Sequence, residues 1–228
     1  MSNSVHHAIE GLLYGFTQYS GKEKYGKQLS ELGTLFHSDQ SFDGKVNALD
    51  KWLETNPTFA KLEDYLFDLL MIHFIREEGT SEAFFNSKEW DRIEDEYADR
   101  GSELLEVLTY IDECKEIGVI PEIEDFIYEY LLTENDPDQE TMRLYEPLIR
   151  HRELSVEIIE NIVEETAHEK ENDLGPMLQA LLIYFSQPNE VDTLPAVLAD
   201  LGQSLAEVSA LTCCIYFYDK GMEDSNLH

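Results

Sequence analysis

Apolar side chains recur at three- and four-residue spacing along most of the chain, and the strict alternation typical of β-strands is nearly absent. Residues 59–75 are apolar almost all round, a pattern that predicts a central buried helix. Residues 155–170 are instead amphipathic, with isoleucine and valine on one face and glutamate on the other. The hydrophobic pattern therefore predicts an all-α fold.

Capping residues and glycines divide this pattern into separate helices. Asp136-Pro137-Asp138-Gln139 combines an N-cap, a proline at the first helical position and a capping-box glutamine, and Ser204 to Glu207 forms a second capping box. Gly79, Gly101 and Gly118 have the character of helix terminators. We predict about ten helices, as a multi-helix bundle or as stacked helical hairpins. They fall near 4–19, 25–37, 43–55, 59–77, 81–98, 102–117, 121–134, 137–151, 155–170, 174–186, 190–201 and 204–219, with some of these segments short or fused.

The length of 228 residues favours a single all-helical domain, residues 1–228. Residues 62–71 resemble residues 123–132 at nearly every position, so a weak internal duplication is one interpretation. The alternative is that two buried helices are built from the same few residue types.

In the first helix, Gly11 and Gly15 place small side chains on one face, which predicts close contact with another helix.

Charge is the strongest compositional signal, with 16 Lys and Arg against 48 Asp and Glu and a net charge of −32. The excess lies in residues 62–173, whereas residues 1–61 are nearly neutral. Nucleic acids and anionic lipids require Lys and Arg to displace counterions, so both are excluded as expected partners. The field favours a basic protein or a metal ion, and a merely solubilising surface is the alternative interpretation.

The cysteines and the amino-terminal residues predict a cytoplasmic protein. Three cysteines, two of them adjacent, do not form a disulfide framework, which is typical of a reducing compartment. The first residues have neither the basic nor the apolar region of a signal peptide. The longest apolar runs are also well short of the roughly 20 residues that span a bilayer.

A metal-dependent helical-bundle enzyme is one alternative function. Such sites use two Glu-x-x-His pairs with further glutamates, and this chain has one pair, Glu165 and His168. Glu164, Glu165 and His168 are the candidate ligands under this hypothesis, although an exposed helix end explains His168 equally well. His6 and Glu10 could share a helix face but supply only two ligands. The sequence predicts no cofactor and no bound metal.

Nucleophilic catalysis has no support in the sequence. Gly-x-Ser-x-Gly and the Gly-rich phosphate loops are missing. Cys213 and Cys214 lie in an apolar run, where burial makes a thiol inert, and Cys114 lies among acidic residues that disfavour a thiolate. His73, in the most hydrophobic segment, is predicted to be a core histidine with a hydrogen-bonded neighbour.

The favoured function is therefore a non-catalytic protein that docks a basic protein, of the inhibitor, immunity or adaptor type. Acidic side chains at helical spacing repel one another, and a basic partner would relieve that repulsion. Tyr128, Tyr130 and Tyr145 are candidate aromatic anchors. The predicted contact residues are Asp125, Glu129, Glu157, Glu160 and Glu164. A maturation chaperone that holds an apolar peptide against residues 174–218 is a further alternative.

Overall fold

The chain folds into packed helices, which confirms the prediction of an all-α protein. The computed structural model describes residues 3–19, 24–78, 82–97, 99–122, 126, 175–186 and 205–225, and no strand occurs among them. The α-helices are α1 (Asn3–Tyr19), α2 (Gly26–Phe36), α3 (Phe42–Thr55), α4 (Glu63–Glu78), α5 (Glu82–Phe85), α6 (Lys88–Tyr97), α7 (Leu104–Ile117), α8 (Gly175–Ser186) and α9 (Leu205–Ser225), with a 3₁₀ helix at Pro57–Leu62. The helices predicted at 121–134, 137–151, 155–170 and 190–201 lie outside the described residues, apart from Phe126.

Helix α4 is the central buried helix that the apolar run predicts. Leu66, Leu69 and Leu70 have no exposed surface, and α4 packs against α1, α3 and α7. The run begins one turn earlier than the α-helix itself, because Pro57 starts a 3₁₀ helix that leads into it. Apolar side chains from both ends of the chain join one core around α4. None of the helices in the described part of the chain combines the length and apolar character needed to cross a bilayer.

Helices α1 and α9 form an antiparallel pair in which the backbones nearly touch. A Cβ atom added to Gly11 would lie 2.7 Å from the carbonyl carbon of Cys213, and one added to Gly15 would lie 2.6 Å from that of Ser209. Real Cβ atoms do not come this close to backbone, so glycine is required at both positions. The predicted close contact of this face of α1 is confirmed, and its partner is α9.

The segment predicted as one helix at 81–98 is two helices, α5 and α6. Ser87 interrupts it, because its hydroxyl accepts a hydrogen bond from the backbone nitrogen of Trp90 at 3.1 Å. Its carbonyl accepts a further bond from Asp91 N at 3.1 Å, which starts the next helix. The break turns α6 so that Ile93 is buried while Trp90 and Tyr97 pack against the core.

A buried carboxylate organises the turn before α7. Asp68 on α4 is 2 % exposed and accepts hydrogen bonds from Ser102 N at 2.9 Å and from Ser102 Oγ at 2.6 Å. Burial raises the pKa of Asp68 well above its usual range, and the two bonds from Ser102 oppose that rise. Gly101 allows this approach, because its φ of +103° is available to glycine and a Cβ there would lie 2.5 Å from Asp68 Oδ1.

We expect Gly101→Ala to lower the free energy of unfolding by about 2 kcal/mol, through backbone strain and displacement of Asp68. Urea denaturation followed by circular dichroism measures the loss. Gly118→Ala is the matched control, because Gly118 also has a positive φ, +74°, but a Cβ there would meet no atom within 4 Å. The control is expected to lose only about 1 kcal/mol. Equal losses in the two variants would mean that the contact with Asp68 contributes nothing.

Candidate functional site

Helix α6 and Asp99, two residues beyond its end, form an acidic surface of exposed side chains. This surface, which we call the α6 face, has five exposed carboxylates: Glu89, Asp91, Glu94, Asp95 and Asp99. Helix α6 spans only about 15 Å at 1.5 Å per residue. Neighbouring carboxylates on it therefore lie within a Debye length of roughly 8 Å and repel one another.

The charges in the last turn of α6 also oppose the electrostatics of the helix itself. A helix favours cations at its carboxyl end, yet the last turn of α6 has no basic residue and contains Glu94, Asp95 and Glu96. Its first residue, Lys88, is a cation at the end that favours anions. Glu89 and Asp91 lie in the first turn, where the helix dipole favours anions, so helix stability accounts for these two acidic residues but not for those of the last turn.

Contacts with α3 fix the orientation of α6. Arg92 Nη2 lies 3.0 Å from Asp43 Oδ2, and Arg92 Nη1 pairs with Glu96 on the same helix. The hydroxyl of Tyr97 donates to Asp43 Oδ1 at 3.0 Å. Burial, followed by this bond to Asp43, raises the pKa of Tyr97 to about 12, so the phenol remains a donor at neutral pH.

The nearby arginines are already paired with other carboxylates. Arg100 Nη2 lies 2.9 Å from Asp50 Oδ1 and 3.1 Å from Glu63 Oε1, and its guanidinium lies 4.9 Å from the centre of the Phe67 ring. Within the described part of the chain, no Lys or Arg nitrogen lies at ion-pair distance from the five carboxylates of the α6 face. These five carboxylates therefore form no direct ion pair within that part of the fold.

An aromatic corner borders the α6 face. Phe85, which is 40 % exposed, meets Trp90 edge-on with their ring centres 5.0 Å apart, and Phe84 contacts Trp90 at 5.5 Å. Phe74 on α4 supports Phe84 at 5.6 Å, so the corner is connected to the core. A rigid aromatic surface beside carboxylates suits arginine and lysine side chains, because their charge binds the acids and stacks on the rings.

Cys213 and Cys214 are buried, as their apolar run predicts. Cys114, Cys213 and Cys214 are free and buried. Burial raises the pKa of the Cys213 thiol to about 11, against a smaller opposing effect of a hydrogen bond with Ser209. Burial likewise raises the pKa of Cys214 well above its usual range. These raised pKa values disfavour the thiolate form of both thiols at neutral pH.

His73 is a core histidine, as predicted. It is 1 % exposed, and its Nε2 donates to the carbonyl of Phe36 at 2.9 Å. No sequence pattern indicates this acceptor, which lies on α2. His6 and Glu10 are both half-buried on α1. No group of three His, Cys, Asp or Glu side chains among the described residues is arranged to hold a metal ion.

The predicted contact and metal residues lie outside the described residues: Asp125, Glu129, Glu157, Glu160, Glu164, Glu165 and His168. The predicted anchors Tyr128, Tyr130 and Tyr145 lie outside them as well. The α6 face falls within the acidic region 62–173, but the predicted contact residues do not include it. The density of six carboxylates in residues 89–99 was a signal that could have identified it.

Comparisons of the chain with protein-family models, with curated proteins and with solved structures found no match.

Proposed function

We propose that this protein is a non-catalytic binding protein whose acidic surface docks a basic protein partner. The observation that carries the proposal is the α6 face, where five exposed carboxylates have no ion-pair partner within the described residues. A partner that presents Lys and Arg would relieve their mutual repulsion and associate quickly by electrostatic steering.

The aromatic corner gives this surface a specific anchor. Exposed charges on the rim of an interface contribute little each, whereas aromatic side chains near the centre dominate many interfaces. Phe85 and Trp90 lie beside the acidic residues, so a partner arginine can reach a ring and a carboxylate together. Asp125, Glu129, Glu157, Glu160 and Glu164 stay predicted contacts of the same partner, on the sequence alone. A cytoplasmic location agrees with three free, buried thiols.

We expect the triple variant Glu89→Gln, Glu94→Gln, Asp95→Asn to bind its partner about tenfold more weakly at low salt. Three exposed charges at about 0.5 kcal/mol each account for this loss. The measurement is affinity purification from native lysate in 50 mM salt with quantitative mass spectrometry, followed by titration of the purified partner. Raising the salt to 500 mM should release the partner from the wild-type protein.

The matched control is Glu54→Gln, Glu116→Gln, Glu122→Gln, which removes three exposed carboxylates elsewhere and changes the net charge equally. It is expected to retain the partner. Equal retention by the α6 variant and the wild type would contradict docking at this face. Binding that is insensitive to salt would contradict a basic partner altogether.

A further inference from the structure

The carboxyl end of α2 is held by side chains from two other helices. Lys45 Nζ on α3 donates to the carbonyl of Phe36 at 2.8 Å, and His73 Nε2 on α4 donates to the same oxygen at 2.9 Å. His37, the C-cap residue, bonds through Nδ1 to the carbonyl of Gly33 at 2.6 Å. These donors satisfy the last carbonyls of α2 and complement its dipole.

The geometry fixes how His73 is protonated. A carbonyl only accepts hydrogen bonds, so the hydrogen of the neutral ring lies on Nε2 and Nδ1 carries a lone pair. Nδ1 is buried, and no donor or acceptor among the described residues reaches it. The ring is stacked on Phe36, with centres 5.8 Å apart. A second proton would therefore place a buried N–H without an acceptor.

The charged groups around His73 come from every helix packed there. Helix α3 supplies Lys45 and α4 supplies Glu77, whose Oε1 lies 3.4 Å from His73 Nε2. His37, at the end of α2, has its ring centre 5.9 Å from that of His73, and it also interacts with His6 of α1, which Glu10 influences in turn. Glu77 is 44 % exposed, so water screens its charge.

The balance of these groups disfavours the charged ring. Burial lowers the pKa of His73, Lys45 lowers it further, and Glu77 and the Phe36 carbonyl oppose them. Burial also lowers the pKa of His6, where Glu10 opposes and the neighbouring histidines add to the effect. Water would stabilise a protonated His73 better than this site does.

We propose that the carboxyl end of α2 is a pH-sensitive latch, closed while His73 is neutral and released when its ring takes a second proton. Release frees the Phe36 carbonyl and moves the end of α2 away from α4. The same end lines an open groove of about 620 Å³ between α1 and α2, with Thr34 and His37 on one side and His6 on the other. Opening the latch therefore reshapes this groove.

Proton linkage gives the direction and size of the effect. In the open form His73 is hydrated and has an ordinary pKa near 6.5, whereas in the closed form its pKa is lower. The latch is therefore fully stable above about pH 6.5 and loses stability as the pH falls through the window between the two values. Because the open form binds one more proton in that window, the ratio of open to closed molecules rises by up to about tenfold for each pH unit of decrease.

Hydrogen exchange of the full chain between pH 7.5 and pH 5.0 tests the latch. After correction for intrinsic rates, peptides covering residues 34–40 should lose protection by up to about tenfold per pH unit below about pH 6.5. Peptides from α9 are the internal reference and should change less. His73→Gln keeps a donor for the Phe36 carbonyl but does not titrate, so its profile should be flat.

His7→Gln is the matched control. It also removes one titratable ring, next to His6 on α1, but His7 packs beside Gly221 on α9. It should keep the pH dependence of the wild type. A flat profile in the wild-type protein, or a pH-dependent one in His73→Gln, would overturn the latch. If His73→Gln does not fold, NMR titration of the His73 ring in the wild-type protein tests the latch instead. A ring pKa at or above 6.5 would also overturn it.

Discussion

Replacing Gly15 by valine is expected to lower the free energy of unfolding by at least about 3 kcal/mol. The new Cβ would collide with the backbone of α9, 2.6 Å from the carbonyl carbon of Ser209 and 2.8 Å from the nitrogen of Ala210. Backbone atoms cannot rotate away as a side chain can, so the two helices must separate along their contact. Separation opens gaps around buried neighbours such as Leu12 and Leu211.

Urea denaturation of Gly15→Val followed by circular dichroism measures this loss. Gly33→Ala is the control, because Gly33 lies inside α2 and a Cβ there would meet no atom within 4 Å. Alanine favours helix over glycine, so the control is expected to gain about 0.5–1 kcal/mol. A Gly15→Val protein as stable as the wild type would show that α1 and α9 do not pack as described.

Replacing Arg76 by methionine is expected to lower the free energy of unfolding by about 3 kcal/mol at pH 7. Arg76 pairs with Asp112 on α7, donates to Ser4 on α1 and lies over the ring of Tyr218 on α9, 5.0 Å from its centre. The Tyr218 hydroxyl donates to the same carboxylate at 2.8 Å. Removing Arg76 would leave a half-buried carboxylate without its cation.

This loss should depend on pH. Burial raises the pKa of Asp112 and Arg76 opposes the rise, so without Arg76 the pKa of the folded state is higher still. Because the pKa of Asp112 is raised in the folded variant, the loss in free energy of unfolding is present where Asp112 is ionised in both the folded and the unfolded protein. This loss disappears below the pKa of Asp112 in the unfolded protein, near 3.9. The difference in stability between wild type and Arg76→Met should therefore narrow between pH 7 and pH 4.

Two further variants separate the buried pair from an ordinary surface charge. Lys27→Met removes an exposed i,i+4 partner of Glu31 and is expected to change stability by less than about 0.5 kcal/mol. The double variant Arg76→Met, Asp112→Asn removes both charges and should recover part of the loss. A loss in Arg76→Met that is the same at pH 4 and pH 7 would contradict an unpaired carboxylate as its cause.

Local signals were enough to predict much of the helical framework. The predicted bounds of α1, α2, α3 and α8 agree with the structure to within a residue or two, because periodicity and capping residues act over one or two turns. The break at Ser87 was missed because the apolar pattern continues through it, and the cap was decided by one hydroxyl. The 3₁₀ helix that starts at Pro57 was also missed, because the apolar pattern continues from it into α4 without a break.

Pairings between distant segments could not be predicted in the same way. The residue types indicated that Gly11 and Gly15 face a helix and that His73 is buried, but not that α9 and Phe36 are the partners. Which carboxylates lack a cation depends on such pairings. Arg92 reaches Asp43 and Arg100 reaches Asp50, and only the folded arrangement shows that the α6 face receives neither.

The pairing of α1 with α9 sets the order in which this chain can fold during synthesis. Gly15 and Ser209 are nearly 200 positions apart, so the ribosome must complete α9 before α1 can acquire its neighbour. Until then Leu12, Leu13 and Phe16 emerge with their eventual core surface uncovered, a state open to chaperones and to aggregation. Contacts of such long sequence separation also slow folding. The newly made chain therefore completes its fold only after α9 has been synthesised.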